Sequence, residues 1–292
     1  MKPPWLRCRA TDPAMHGKTR GLLRSHGLNS VCEEALCPNQ SDCFGRGIAT
    51  FLILGRTCTR ACTFCAIPSE ETPPAPDPRE PERIAAVADE LGLNHVVITS
   101  VTRDDMTDGG AGHFAAVVEA LKRQSPAITV EVLIPDLKGS RGALEAVLRS
   151  RPDVLNHNLE TVPRLYPAVR PQADYNRSVS LLRMVKAIDP ETVTKSGLML
   201  GLGEERGEVL AAMGDLRGAR CDMLTLGQYL QPSKRHHPVV RYVTPGEFAD
   251  LGREGERMGF RAVFSAPLVR SSFHAAELLA GTAAGRPKNP QG

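Results

Sequence analysis

From residue 49 onward the chain alternates short β-branched or apolar runs with helical patterns, and this alternation limits the fold more than any other feature. The strand candidates are Ala49–Gly55, Asn94–Ser100, Ile128–Pro135, Asp153–Leu159, Val193–Leu200 and Asp222–Tyr229. Helical patterns lie between them at Glu80–Leu91, Gly112–Gln124, Arg141–Arg149, Arg177–Ile188 and Glu205–Arg217. Strand–helix alternation builds a parallel sheet through right-handed crossovers. Six strands are too few to close an eight-stranded barrel, so a partial barrel and an open doubly wound sheet both fit. The length of 292 residues, with 41% hydrophobic and 24% charged content, suits one large α/β domain or two ordinary ones.

Polar residues collect at the C-terminal ends of these strands, the face where parallel α/β folds bind ligands. They include Thr99 to Asp105, Asn156 to Glu160, and Gly201 to Glu204. Residues 1–48 carry no strand pattern and read as an extension wrapped over the sheet, and the Pro-rich stretch from Pro73 to Pro81 reads as a loop. A net charge of +3 does not call for nucleic acid. No apolar run approaches membrane-spanning length, and residues 1–7 have neither a signal-peptide core nor a transit pattern. The expected setting is the cytoplasm, where cysteines serve metals or redox chemistry more often than disulfides.

Two cysteine triads give the alternation a chemistry. Cys32, Cys37 and Cys43 are spaced C-x4-C-x5-C, whereas Cys58, Cys62 and Cys65 are spaced C-x3-C-x2-C directly after the first strand. Three thiolates do not close a structural zinc site. A 4Fe–4S cluster held by three cysteines leaves one iron open to a cofactor or to another protein ligand.

The second triad, with Phe64 before its last cysteine, resembles that of radical S-adenosylmethionine (SAM) enzymes. Both triads together narrow the resemblance to the lipoyl synthase family. Lys2–Arg7, Thr99–Asp105, Asp108–Ala111, Leu133–Asp136, Asn156–Thr161, Thr194–Glu204, Leu226–Pro232 and Arg270-Ser271-Ser272-Phe273 also carry it. The resemblance implies an α/β partial (β/α)6 TIM-like barrel over 49–230. An N-terminal extension over 1–48 and a C-terminal extension over 231–292 would carry an auxiliary cluster site. It further implies two 4Fe–4S clusters and SAM. One cluster, on Cys58, Cys62 and Cys65, binds SAM and yields a 5′-deoxyadenosyl radical. The other, on Cys32, Cys37 and Cys43, is completed by Ser272, with Ser271 the second choice, and donates sulfur. The implied reaction inserts two sulfur atoms at carbons six and eight of a protein-bound octanoyl-lysine. Those C–H bonds are unactivated, and a carbon radical is the reagent suited to them.

The implied partners are an octanoylated lipoyl-carrier domain (the dehydrogenase E2 subunit or the glycine cleavage H protein), a ferredoxin- or flavodoxin-type reductant, and an iron–sulfur cluster carrier. Neither nucleic acid nor membrane is expected. Phe64, Ser100, Arg103, Asn156, Asn158, Glu160, Arg177 and Lys195 are the candidate SAM contacts, Arg177 and Lys195 as partners of its carboxylate. Asp104 and Asp105 fit either the site or a turn cap. Phe273 replaces the tyrosine that usually ends the Arg-Ser-Ser motif. Cys221 reads as a buried small hydrophobe and Cys8 carries no assignment. The basic run Lys234-Arg235-His236-His237 with Arg241 suits the steering of an acidic carrier domain or, more simply, a solvated loop. A biotin synthase-like enzyme would turn over dethiobiotin instead, and a non-catalytic iron–sulfur carrier would transfer clusters without cleaving SAM.

Overall fold

The structure is a computed structural model that describes residues 2–7, 12–272 and 275–284, with side chains described through 279. Cys8 and Phe273 lie outside the described residues. The chain divides into two compact units, one formed by Cys8–Ala61 and Cys65–Leu155, the other by Met1–Arg7, Cys62–Phe64 and Asn156–Gly292.

The first unit opens with α1 (Pro13–Ser25), started by Asp12, whose carboxylate accepts from the Ala14 and Met15 N–H groups. It continues with β1 (Asn29–Ser30), α2 (Val31–Glu34), α3 (Gln40–Gly45), β2 (Thr50–Ile53), α4 (Glu80–Glu90), β3 (His95–Ser100), α5 (Ala111–Gln124), β4 (Thr129–Leu133), α6 (Arg141–Arg149) and the start of β5 (Val154–Asn156). β2, β3 and β4 are parallel, with Thr50 opposite Val97 and His95 opposite Thr129. All of β2 is buried, as expected of a parallel strand covered on both faces. Phe51, Ile84, Val87, Ile98, Phe114, Val117, Val130 and Leu144 are all buried. Each such side chain contributes about 1.5–3 kcal/mol relative to exposure.

The second unit contains α7 (Tyr166–Val169), α8 (Tyr175–Ile188), β6 (Val193–Leu200), α9 (Arg206–Gly218), β7 (Met223–Gln228), α10 (Pro245–Arg257), β8 (Ala262–Ser265) and α11 (Ala275–Ala284). β6, β7 and β8 are parallel, with Lys195 opposite Met223 and Met223 opposite Ala262. Leu182, Met213, Leu216, Leu224, Leu226 and Phe248 fill its core. Capping boxes start α9 (Glu205 with Glu208) and α10 (Thr244 with Glu247).

The strand–helix alternation appears where the sequence places it. Two strands are additional. β1 lies within residues 1–48, where no strand pattern is visible, and pairs antiparallel with β2. β8 lies beyond residue 230 and pairs with β7. β1 has two residues, too few for a period. β8 follows a glycine-rich helix whose pattern is diluted; at Gly255 a Cβ would stand 2.9 Å from Val263 Cγ2, so the glycine lets α10 lie close. Among the described residues no helix is long and apolar enough to cross a membrane.

Candidate functional site

In the first unit Cys32 lies in α2, Cys43 in α3 and Cys37 between them. Ser30 caps α2 by accepting from the Cys32 N–H at 3.1 Å, which places Cys32 at the helix start and buries it. Burial pushes the Cys32 thiol up, and Cys37 adds to the shift. Burial likewise raises Cys43, with Cys32 and then Cys37 adding to it. Burial therefore favours the protonated form of Cys32 and Cys43, a balance that a bound iron ion would reverse. Among the described residues no three His, Cys, Asp or Glu side chains converge as ligands of one ion. What joins the three thiols is the electrostatic coupling of Cys32 to Cys37 and of Cys43 to both.

The second triad sits on the loop after β2, and its surroundings in the first unit fit a thiolate. Cys58 Sγ accepts from the backbone N–H of Arg60 at 3.4 Å and of Thr102 at 3.2 Å. Two aimed donors favour a charged acceptor. The loop is fastened by Arg60, a residue that sequence reading passed over. Its guanidinium is 4% exposed and donates to Asp104 at 2.6 and 3.0 Å and to Asp136 at 2.9 and 2.7 Å. Burial alone would lower Arg60, but Asp104 and Asp136 more than offset it and hold the proton on. The visible signal was a cation between two cysteines and a second acid beside Asp105. Asp104 is an ion-pair partner, not a turn cap.

Arg103, expected at SAM, is engaged by the protein. It is buried, chelates the Asp105 carboxylate, and donates to the carbonyls of Leu54, Pro73 and Pro74. The hydrogen bond from Arg103 holds the Asp105 carboxyl below its ordinary range. Arg103 thus clamps the Pro-rich loop. Glu80 performs a similar task on the end of β2, accepting from Leu54 N–H at 3.1 Å and lying 2.7 Å from His113 Nε2. Ser100 ends β3 with its Oγ buried and without a partner among the described residues, which leaves it for a ligand.

In the second unit Asn158, Glu160 and Ser271 come together. Asn158 Nδ2 donates to Glu160 Oε1 at 3.0 Å and to Ser271 Oγ at 2.6 Å, while its Oδ1 is buried and unpartnered among the described residues. Glu160 has φ 66°, a left-handed backbone held by bonds from its N–H to Gly197 O and from Met199 N–H to its own carbonyl. Such a backbone costs about 1–3 kcal/mol, offset here by these two bonds. Burial raises the Glu160 carboxyl, opposed by Arg170, Asn158 and Arg270. Arg170 is itself buried and bonds the carbonyls of Asn158 and Leu159. Burial disfavours its charge, but Tyr166, Glu160 and Cys62 outweigh that. Cys62 therefore faces a fixed cation that sequence reading missed.

Other candidates are placed singly. Asn156 and Lys195 are fully buried, at the end of β5 and within β6. Arg177 is half-buried on the first turn of α8, where its N–H donates to Asp174. Phe64 packs against the core of its own unit, and the neighbouring Thr63 N–H donates to Val169 O at 3.0 Å. Ser272 lies half-buried in the turn after Ser271. Cys221 is fully buried, its thiol pushed up to about 12 by burial, as a structural cysteine should be.

Ser271 is delivered by a strap that crosses β7. Gln228 N–H donates to Pro267 O, and a Cβ at Gly227 would stand 2.0 Å from Val269 O. Only glycine permits that approach. Gly227→Ala should cost about 1–3 kcal/mol through overpacking and increase amide exchange at residues 267–271. Unchanged melting and exchange would refute the contact.

The comparisons with known proteins agree with this geometry. The Radical SAM superfamily profile matches residues 52–216, more than half of the chain. The chain is 51% identical over 278 residues to the lipoyl synthase of Alkaliphilus metalliredigens (strain QYMF), covering 95% of this chain and 96% of that one. It is 52% identical over 274 residues to the lipoyl synthase of Chlorobium chlorochromatii (strain CaD3), covering 94% and 93%. Among solved structures it resembles HydG, a maturase of the [FeFe]-hydrogenase, with a TM-score of 0.59 at 14% identity, covering 81% of this chain and 54% of that one; the likeness concerns the fold alone. The expected α/β fold of radical SAM enzymes is borne out. On near-complete relatedness at about half identity, the chain belongs to the lipoyl synthase family of the radical SAM superfamily.

Proposed function

We propose that this protein is a radical SAM sulfurtransferase that inserts two sulfur atoms at carbons six and eight of an octanoyl chain carried on a protein lysine. Family membership across nearly the whole length carries the reading. Residues 49–230 would form the radical core, flanked by extensions 1–48 and 231–292. Cys58, Cys62 and Cys65 would hold the SAM-binding cluster, and Cys32, Cys37, Cys43 and Ser272 an auxiliary one. When bound, these groups supply the radical that opens unactivated C–H bonds and the sulfur that replaces hydrogen.

The chain's own residues prepare that chemistry. The N–H groups of Arg60 and Thr102 donate to Cys58 Sγ and fix its position. Ser100 Oγ and Asn158 Oδ1 are polar atoms left for a polar ligand such as SAM. Arg103, with Asp105, keeps the Pro-rich loop in place. Ser271 is committed to Asn158, which supports Ser272 as the oxygen ligand. An oxygen donor is a poorer partner than thiolate for such an iron, which suits a cluster meant to be dismantled. A ferredoxin- or flavodoxin-type reductant, an iron–sulfur cluster carrier and a cytoplasmic setting complete the proposal.

The test is anaerobic reconstitution, then incubation with SAM, reductant and an octanoylated carrier domain. Release of 5′-deoxyadenosine with a mass gain from two sulfur atoms is expected. SAM cleavage without any mass gain would overturn the reading.

A further inference from the structure

The basic loop after β7 is not a slack, solvated connection. Its tip is folded on itself: Gln231 Nε2 donates to His236 O at 2.8 Å, and Ser233 Oγ lies 2.9 Å from His236 Nδ1. Its base is fixed to the C-terminal ends of β6 and β7. Val240 N–H donates to Gly201 O at 2.8 Å, Gln228 Nε2 to Arg241 O at 3.1 Å, and Tyr229 OH to His237 O at 2.7 Å. His237 N–H donates at 2.8 Å to the carbonyl of Thr63, within the second cysteine triad. This built loop holds Lys234 and Arg235 in solvent, with no ion pair to any described residue, whereas Arg241 is matched by Glu247. Val240, farther along the same loop, is 59% exposed.

We propose that Lys234, Arg235 and Val240 form the docking surface for an acidic face of the octanoylated carrier domain. This deepens, and rests on, the function proposed above. In parallel α/β folds a ligand enters at the C-terminal strand ends, where this loop is fastened. An acyl chain attached to a protein brings that protein's surface to the same place. Two unmatched cations on a loop held in place there attract carboxylates and raise the encounter rate. An exposed valine at their side supplies apolar contact once the partner has arrived.

The test uses the full, reconstituted chain carrying Lys234→Glu and Arg235→Glu together, with two substrates: the octanoylated carrier domain and a short uncharged octanoyl-lysine peptide. The KM for the carrier domain should rise about tenfold with kcat retained, and the salt dependence of kcat/KM should flatten. The KM for the peptide should stay at its original value. An unchanged carrier KM, an equal rise for both substrates, or a rise confined to the protein reductant would each overturn the proposal. Failure of the unmodified enzyme to add sulfur to either substrate overturns the functional reading, and the docking surface with it.

Discussion

Replacing Cys32 with alanine is expected to leave 5′-deoxyadenosine release in place and to reduce sulfur insertion below detection. The two activities separate because the triads have different surroundings. Cys32 lies at the start of α2, buried and electrostatically joined to Cys37 and Cys43, so two thiols and one oxygen would remain to hold an auxiliary cluster. The surroundings of Cys58, including the N–H donors from Arg60 and Thr102, do not involve Cys32. Cys58→Ala should do the reverse at the first step, ending SAM cleavage and with it everything downstream. Iron content, 5′-deoxyadenosine and product mass measured on both variants check this. Sulfur insertion by Cys32→Ala, or SAM cleavage by Cys58→Ala, would remove the division of labour.

Arg60→Met is expected to be the most damaging change outside the cysteines. Asp136 is 0% exposed and Asp104 26% exposed, so losing the guanidinium strands one carboxylate in the interior and a second at its edge. Breaking a buried pair in this way costs about 3–5 kcal/mol, a fall in melting temperature of about 5–8 °C for a chain of this size. Arg60→Lys should recover only part of it, because an ammonium cannot span both acids as the planar fork does. Combining Arg60→Met with Asp136→Asn should cost less than the sum of the single changes, since the stranded charge is gone. Thermal unfolding of the loaded protein and of the metal-free protein measures this. Additive losses would show that the three groups act separately.

What could be read from the sequence follows from what is local. Val193–Leu200 has the same bounds in both readings, and Arg141–Arg149 likewise, because each is set by its own apolar pattern. The triads were legible because ligand spacing is written along one stretch of chain. What escaped was pairing across distance. Arg60 meets Asp136 across 76 positions and Asn158 meets Ser271 across 113, and no periodicity reports such partners. Arg103 shows the same limit: a cation at a strand end suits a ligand, and its bonds to the Pro-rich loop leave no mark in the sequence.

The division of the chain has a consequence for how the protein is made. Every residue of the first unit has been synthesised once Leu155 is joined, so Cys32, Cys37 and Cys43 can find their places while translation continues. Residues 1–7 and 62–64 belong with the half that emerges last. The middle of the second cysteine loop is therefore made before the residues from 156 onward with which it groups. Contacts so distant in sequence form slowly, so the loop around Cys62 should gain its final shape only after residues beyond 156 are made.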